Sequence, residues 1–337
     1  MTKILDLASS KSQLAKPSPI ASPAAMPAGI AWHRWLLPLQ GAMAVNESPL
    51  DRLAIEAELD SYATGKTPVN RTKLLSCLRT HLDQAKASLR ESFYHSNDGA
   101  VYVGMHAWVI DILLQSLYAQ TQKQCAGGDE VALIAVGGYG RGEMAPFSDI
   151  DIMFLMPKKA TEAHTKFIEF ILYILWDLGL KIGHSTRSLA ESIDAANDDQ
   201  TVLTSLLEMR HVAGDNSMWV KLNRAVQRKI AKQKPLAFVE EKLGERDLRH
   251  KRFGDTRYVV EPNVKDGKGG LRDLHSLFWI TKYAYRANSI IDIVKKGVLR
   301  DGEARKFALA QRFYGRFAVI FIFMLTVPKN GWISKRK

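Results

Sequence analysis

Two short apolar runs, separated by a glycine-rich link, constrain this chain more than any other feature. Val131-Ala-Leu-Ile-Ala-Val136 is closed by Gly137-Gly138, and Asp149-Ile-Asp-Ile-Met-Phe-Leu-Met156 is closed by Pro157 and two lysines. Each is too short for a core helix and bounded by breakers, which predicts two buried strands. The link from Tyr139 to Ser148 is too short for a long crossover helix. On a strand, side chains at i and i+2 share a face. Asp149 and Asp151 are therefore expected side by side, with Ile150 and Ile152 turned into the core.

Paired carboxylates repel each other, and a divalent cation relieves that repulsion. Mg²⁺ takes hard oxygen ligands, typically a few carboxylates plus substrate phosphates. Backbone at Gly137 and Gly138, lacking Cβ, can approach a phosphate closely. Ser148 adds a hydroxyl beside the aspartates, and Arg141 a guanidinium able to meet a phosphate oxygen. A phosphate cradle joined by some ten residues to a two-carboxylate metal site suits nucleotidyl transfer, in which metal ions clamp the attacking and leaving oxygens. Taken singly, each piece also reads as ordinary structure: a turn, a solvated strand edge, a surface arginine. Their spacing together favours the site.

Organisation around this segment is mostly helical. Residues 1–50 carry Pro17, Pro19, Pro23, Pro27, Pro38 and Pro49 among small residues, and read as a poorly ordered lead-in. Residues 51–125 show helical spacing in three stretches, among them Leu74, Leu75, Leu78, Leu82 and Leu89. A core over 126–225 follows, with a helix at 162–180 and a third strand at Lys181–Arg187. Thr201 to Val212 fits either a helix or a strand. Residues 226–314 read as helical, broken by a loop at 261–270.

Several function classes weaken on composition. Net charge is +12, but the first 50 residues hold +2 and residues 315–337 hold +5, leaving only +5 between them. No basic stripe with interleaved aromatics lies in 51–314, so nucleic acid is not an expected partner. No run reaches about 18 uninterrupted apolar residues, so no membrane span is expected. Cys77 and Cys125 are the only cysteines, which suits a reducing, cytoplasmic setting.

The Gly137-to-Asp151 segment resembles the nucleotidyltransferase superfamily that includes DNA polymerase β. More closely, the chain resembles the [protein-PII] uridylyltransferase/uridylyl-removing enzymes. Gly179-Leu-Lys-Ile-Gly-His-Ser-Thr-Arg187, Thr204-Ser-Leu-Leu-Glu-Met-Arg-His-Val-Ala-Gly-Asp215 and the long stretch from Arg252 to Asp273 carry that resemblance. It implies an α+β fold: a small mixed sheet with helices, flanked by helical segments. It implies Mg²⁺ as cofactor, and UTP and the PII regulatory protein as partners. The reaction implied is UMP transfer to a PII tyrosine in nitrogen-status signalling. The superfamily also has a third carboxylate on a neighbouring strand. Glu208 is the first candidate, as metal ligand or general base, with Asp177 and Asp215 behind it. Lys265 and Lys268, in the loop at 261–270, are expected to reach phosphates; a purely structural loop is the other reading. None of the nine histidines is followed by Asp, so the family's later His-Asp hydrolase module is not expected here, nor are its two ligand-sensing modules. Residues 315–337 depart from the family pattern. They read either as the product of a frameshift or as an amphipathic tail. Two alternatives to PII uridylylation stand: an inactive fragment that binds PII or nucleotide, and a transferase for another nucleotide or acceptor.

Overall fold

Helix starts follow the capping side chains. In the computed structural model, which describes residues 50–62, 69–252, 263–287 and 289–326, α1 spans Arg52–Tyr62, α2 Arg71–Ser96 and α3 Gly99–Gln122. Asn70 caps α2 by accepting from the Thr72 amide at 2.8 Å, and Asp98 caps α3 by accepting from the Ala100 and Val101 amides. Helix α3 is long and apolar enough to cross a membrane, yet 78 % of its most apolar window is buried inside the fold. It is the central core helix.

Beyond it come β1 (Ala132–Ala135), α4 (Gly137–Arg141), β2 (Ile150–Met156), α5 (Glu162–Asp177) and β3 (Ile182–Ser188). Then follow α6 (Leu189–Asp198), α7 (Gln200–Leu207), β4 (Arg210–Gly214) and α8 (Asn216–Lys232). The sheet order is β3-β2-β1-β4. Strand β1 runs antiparallel to β2 and β4, with Ala135 opposite Ile152 and Arg210. Strand β3 runs parallel to β2, with Asp151 opposite Gly183 and Met153 opposite Ser185. A parallel pair needs a crossover, and α5 supplies it. The architecture is the expected α+β one, a small mixed sheet among helices. The ambiguous stretch from Thr201 to Val212 resolves into a helix followed by a strand.

Alternation along β2 sorts its two faces. Ile150, Ile152 and Phe154 join Leu133 and Ala135 of β1 in one core with Leu113 and Leu117 of α3 and Phe167, Ile171 and Ile174 of α5. Burying each such side chain contributes about 1.5–3 kcal/mol. Asp151 and Met153 point to the opposite face, where Ser192 of α6 packs near the Met153 sulfur.

The chain divides into two compact units, with boundaries inside α8 and inside the last helix. The first takes described residues up to 227 and again from 315. The second takes 228–314 and holds α9 (Pro235–Arg252), α10 (Leu271–Tyr285), α11 (Ile290–Lys295) and the start of α12 (Asp301–Thr326). In it, Phe238 stacks on Tyr283 at 4.0 Å between ring centres, and Asp273 accepts from the Gly269 amide at 2.8 Å. Helix α12 passes residue 314 without a break. In the first unit, Val319 is fully buried, and Phe323 lies against Phe93 and Tyr102 with ring centres 5.8 and 5.5 Å away. Residues 1–49, 253–262 and 327–337 lie outside the described residues. So do almost all of the lead-in, much of the Arg252–Asp273 stretch and the end of the tail.

Candidate active site

The glycine turn leaves β1 at Val136, whose amide donates to the Asp151 carbonyl at 3.0 Å. Gly137 then takes a left-handed φ of +57°, which a side chain rarely adopts. That kink starts α4 directly beside Asp151: a Cβ at Gly137 would stand 3.1 Å from Asp151 Oδ2. The opposite wall is Gly183 of β3, where a Cβ would overlap Asp151 Oδ1. The half-buried carboxylate thus lies between two positions that have no side chain. Gly183→Ala is therefore expected to turn the Asp151 carboxylate aside, not to disturb the core. Displacing a reacting group by about 1 Å costs roughly 10²-fold in rate. Transfer rate measured beside thermal unfolding checks this, with activity falling and the melting temperature held.

Asp149 stands exposed one residue before β2, and the half-buried Asp151 is the second residue of that strand. The Ile150 amide donates to the Lys181 carbonyl at 2.8 Å, so the ladder that fixes this face already begins there. Ser148 is half-buried in the turn just before, its amide donating to the Ala145 carbonyl at 3.2 Å. Phe147 precedes it with φ +60° and 66 % exposure, a strained conformation for a bulky residue. The two aspartates offer hard carboxylate oxygens, a donor type that fits Mg²⁺.

A cavity of about 200 Å³ opens on the same sheet face. Met153, two residues beyond Asp151, forms part of its wall, with Val136, Ser185, Arg187, Asp199 and Thr201. Asp199 also caps α7, accepting from the Thr201 amide at 2.6 Å. Sequence reasoning missed Ser185, Arg187 and Asp199. The available signal was the period-2 run Gly183, Ser185, Arg187, which a parallel pairing with β2 places beside Asp151 and Met153.

Arg141 and Glu208 pair with each other. The Arg141 guanidinium, 9 % exposed, donates to Glu143 at 2.9 Å and to Glu208 at 2.6 Å. Burial opposes its charge, but Glu208 and then Glu143 outweigh burial and raise its pKa. An arginine so engaged braces the turn through its Nε and Nη1 donors. Glu208, its side chain 1 % exposed, follows α7 and precedes β4, the strand beside β1 and not beside β2. The other two acids are also in structural use. Asp177 pairs with Arg71 at 2.7 Å, and Asp215 accepts from the Ser217 amide at 2.7 Å.

A second brace holds the same turn. Asp111 of α3, 2 % exposed, accepts from Arg210 at 2.6 and 2.9 Å and from the Tyr139 hydroxyl at 2.6 Å. The Arg210 guanidinium lies 5.2 Å from the Tyr139 ring centre. Burial first, and Asp111 second, push the Tyr139 phenol well above its ordinary value, so it stays a donor. Gly137, Gly138, Arg141, Ser148, Asp149, Asp151 and Glu208 all belong to the first unit. Lys265 and Lys268 belong to the second, on a loop where Asn263 accepts from the Lys265 and Asp266 amides.

Comparison with known proteins finds two family matches along the chain. Residues 122–203 match the nucleotidyltransferase domain family, and residues 237–319 match the GlnD PII-uridylyltransferase family. A bifunctional uridylyltransferase/uridylyl-removing enzyme of Rhodospirillum rubrum is 41 % identical over 78 % of this chain and 29 % of its own length. One of Azospirillum brasilense is 43 % identical over 72 % of this chain and 27 % of its own length. The chain spans under a third of the length of these relatives. The mixed sheet and its Asp-x-Asp strand are those of a DNA polymerase β-like nucleotidyltransferase domain. The chain thus carries a nucleotidyltransferase domain and a GlnD PII-uridylyltransferase match, and over most of its length it is similar to bifunctional uridylyltransferase/uridylyl-removing enzymes.

Proposed function

We propose that this chain transfers UMP from UTP to a tyrosine hydroxyl of a PII regulatory protein, releasing pyrophosphate, within cytoplasmic nitrogen-status signalling. The observation that carries the reading is Asp151 on β2, two residues after Asp149, with the glycine turn on one side and the cavity along its face of the sheet. Support for the uridylyl group comes from the names of the relatives, and support for PII from the name of the matched family.

In this reading Asp149 and Asp151 hold Mg²⁺. Bound there, the metal supplies charge neutralisation for the triphosphate and for the oxygens of the displacement. Gly137, Gly138 and Ser148 hold phosphate oxygens through backbone amides and a hydroxyl. Arg187, Ser185 and Asp199 line the space left for the rest of the nucleotide. The acceptor phenol oxygen forms a bond to the α-phosphorus while the bond from that phosphorus to the β-bridging oxygen breaks. Pyrophosphate leaves with the bonding pair, and the phenol proton is lost to solvent at the exposed end of β2. Arg141, Glu208, Asp111 and Arg210 position the turn without touching substrate.

Labelled UTP incubated with the full chain and purified PII, with and without Mg²⁺, tests this. Label is expected on PII only with Mg²⁺, with stoichiometric pyrophosphate, and unlabelled ATP, GTP or CTP is expected not to compete. Competition by all three would overturn the choice of UTP. Nucleotide binding with no pyrophosphate release would overturn catalysis and leave a binding module.

A further inference from the structure

Glu58 and Tyr62 lie one turn apart on α1, and Cys77 and His81 one turn apart on α2. Residues four apart share a helix face, so packing α1 on α2 brings both pairs together. The ligand atoms of Glu58, Cys77 and His81 all lie within 4.8 Å of one another. His81 Nε2 is 2.7 Å from Glu58 Oε2, and the Tyr62 hydroxyl donates to Glu58 Oε1 at 2.7 Å. Cys77 is buried, whereas the Glu58 side chain keeps 36 % of its surface exposed.

We propose that Glu58, Cys77 and His81 form a binding site for a zinc-class divalent cation, chemically distinct from the aspartate pair on β2. The argument rests on donor type and spacing. Thiolate, imidazole and carboxylate are the three side-chain ligands zinc takes, at about 2.3, 2.0–2.1 and 2.0–2.2 Å. Around a tetrahedral ion such bonds hold ligand atoms roughly 3.3–3.6 Å apart. The His81–Glu58 separation of 2.7 Å is shorter than that spacing, and no pair in the cluster exceeds 4.8 Å, so small side-chain shifts bring the three atoms to it. The thiolate selects against Mg²⁺, which requires oxygen. The solvent-facing side at Glu58 leaves the fourth position to water. Tyr62, bonded to the second Glu58 oxygen, acts as the partner that orients a ligating carboxylate.

Charge balances as well. Binding expels the Cys77 proton to solvent, and neutral His81 contributes a lone pair. Thiolate and carboxylate together cancel the cation's two charges, which a partly buried site requires.

Cobalt is the probe. The full chain, stripped with a chelator and titrated with Co²⁺, is expected to show sulfur-to-cobalt charge-transfer absorption saturating at one ion per chain, bleached by one equivalent of Zn²⁺. Cys77→Ser and His81→Gln are expected to abolish the band, while Cys125→Ser and the Asp149→Ala, Asp151→Ala double variant keep it. Zn²⁺ in hundredfold excess over its Kd is expected to raise the melting temperature by roughly 5 °C or more, and not to do so in Cys77→Ala, which controls for misfolding of the serine variant. Absence of the band in the parent chain, its persistence in Cys77→Ser, or an equal thermal shift in Cys77→Ala would overturn the site.

Discussion

Asp151→Asn is expected to slow transfer of label from UTP by about 10²–10³-fold, the loss typical of removing one group that stabilises developing charge. Asparagine keeps the volume of the side chain, so it still fits between Gly137 and Gly183. It removes only the negative charge and the strongest oxygen donor. The melting temperature should therefore stay within about 2 °C of the parent, since a volume-conserving change at a half-buried position touches no core packing. Initial rates at several Mg²⁺ concentrations check the assignment. Weakened metal binding predicts partial recovery at high Mg²⁺, because the exposed Asp149 remains. An unchanged rate at every concentration would remove Asp151 from the site.

The largest loss of stability is expected at Asp111→Ala. That change leaves the Arg210 guanidinium and the Tyr139 hydroxyl without their shared acceptor in a position where Asp111 itself is 2 % exposed. Breaking one side of a buried pair costs about 3–5 kcal/mol, much of it for the charge left behind. Urea unfolding of the single variant reads this directly. Asp111→Leu combined with Arg210→Met is expected to be far milder, since both charges go together. A single-variant loss under about 1 kcal/mol would show that water reaches Arg210 freely. Rates add a second readout: the single variant should lose turnover beyond its folded fraction, because the turn that carries Tyr139 also carries Gly137 and Gly138.

The strands and their carboxylates were legible because their signals are local. Val131–Val136 and Asp149–Met156 are short apolar runs between breakers, and period 2 assigns their faces without any partner. What stayed hidden depends on contacts far apart in the chain. Arg141 reads as a free cation in sequence, yet its strongest partner, Glu208, lies 67 residues on. Asp111, a single acid inside the apolar run Val109 to Leu114, signals a buried partner, but nothing local points 99 residues ahead to Arg210. Thr201 to Val212 was ambiguous because its apolar residues serve a helix and then a strand, with the switch at Glu208. The cavity wall needed the parallel pairing of β3 with β2, which no spacing within either segment specifies.

The two braces on the glycine turn have a consequence for the order in which the site forms during synthesis. Glu208 and Arg210 stand two residues apart at the entrance to β4. One grips Arg141 at the end of the turn, and the other, through Asp111, grips Tyr139 within it. A nascent chain that has emerged only as far as Leu207 holds both aspartates and every glycine of the turn. In it Arg141 has Glu143 but lacks Glu208, and Asp111 has the Tyr139 hydroxyl but lacks Arg210. Addition of three more residues supplies Glu208 and Arg210, so the glycine turn gains both braces in a single late step after the sheet's other three strands are made.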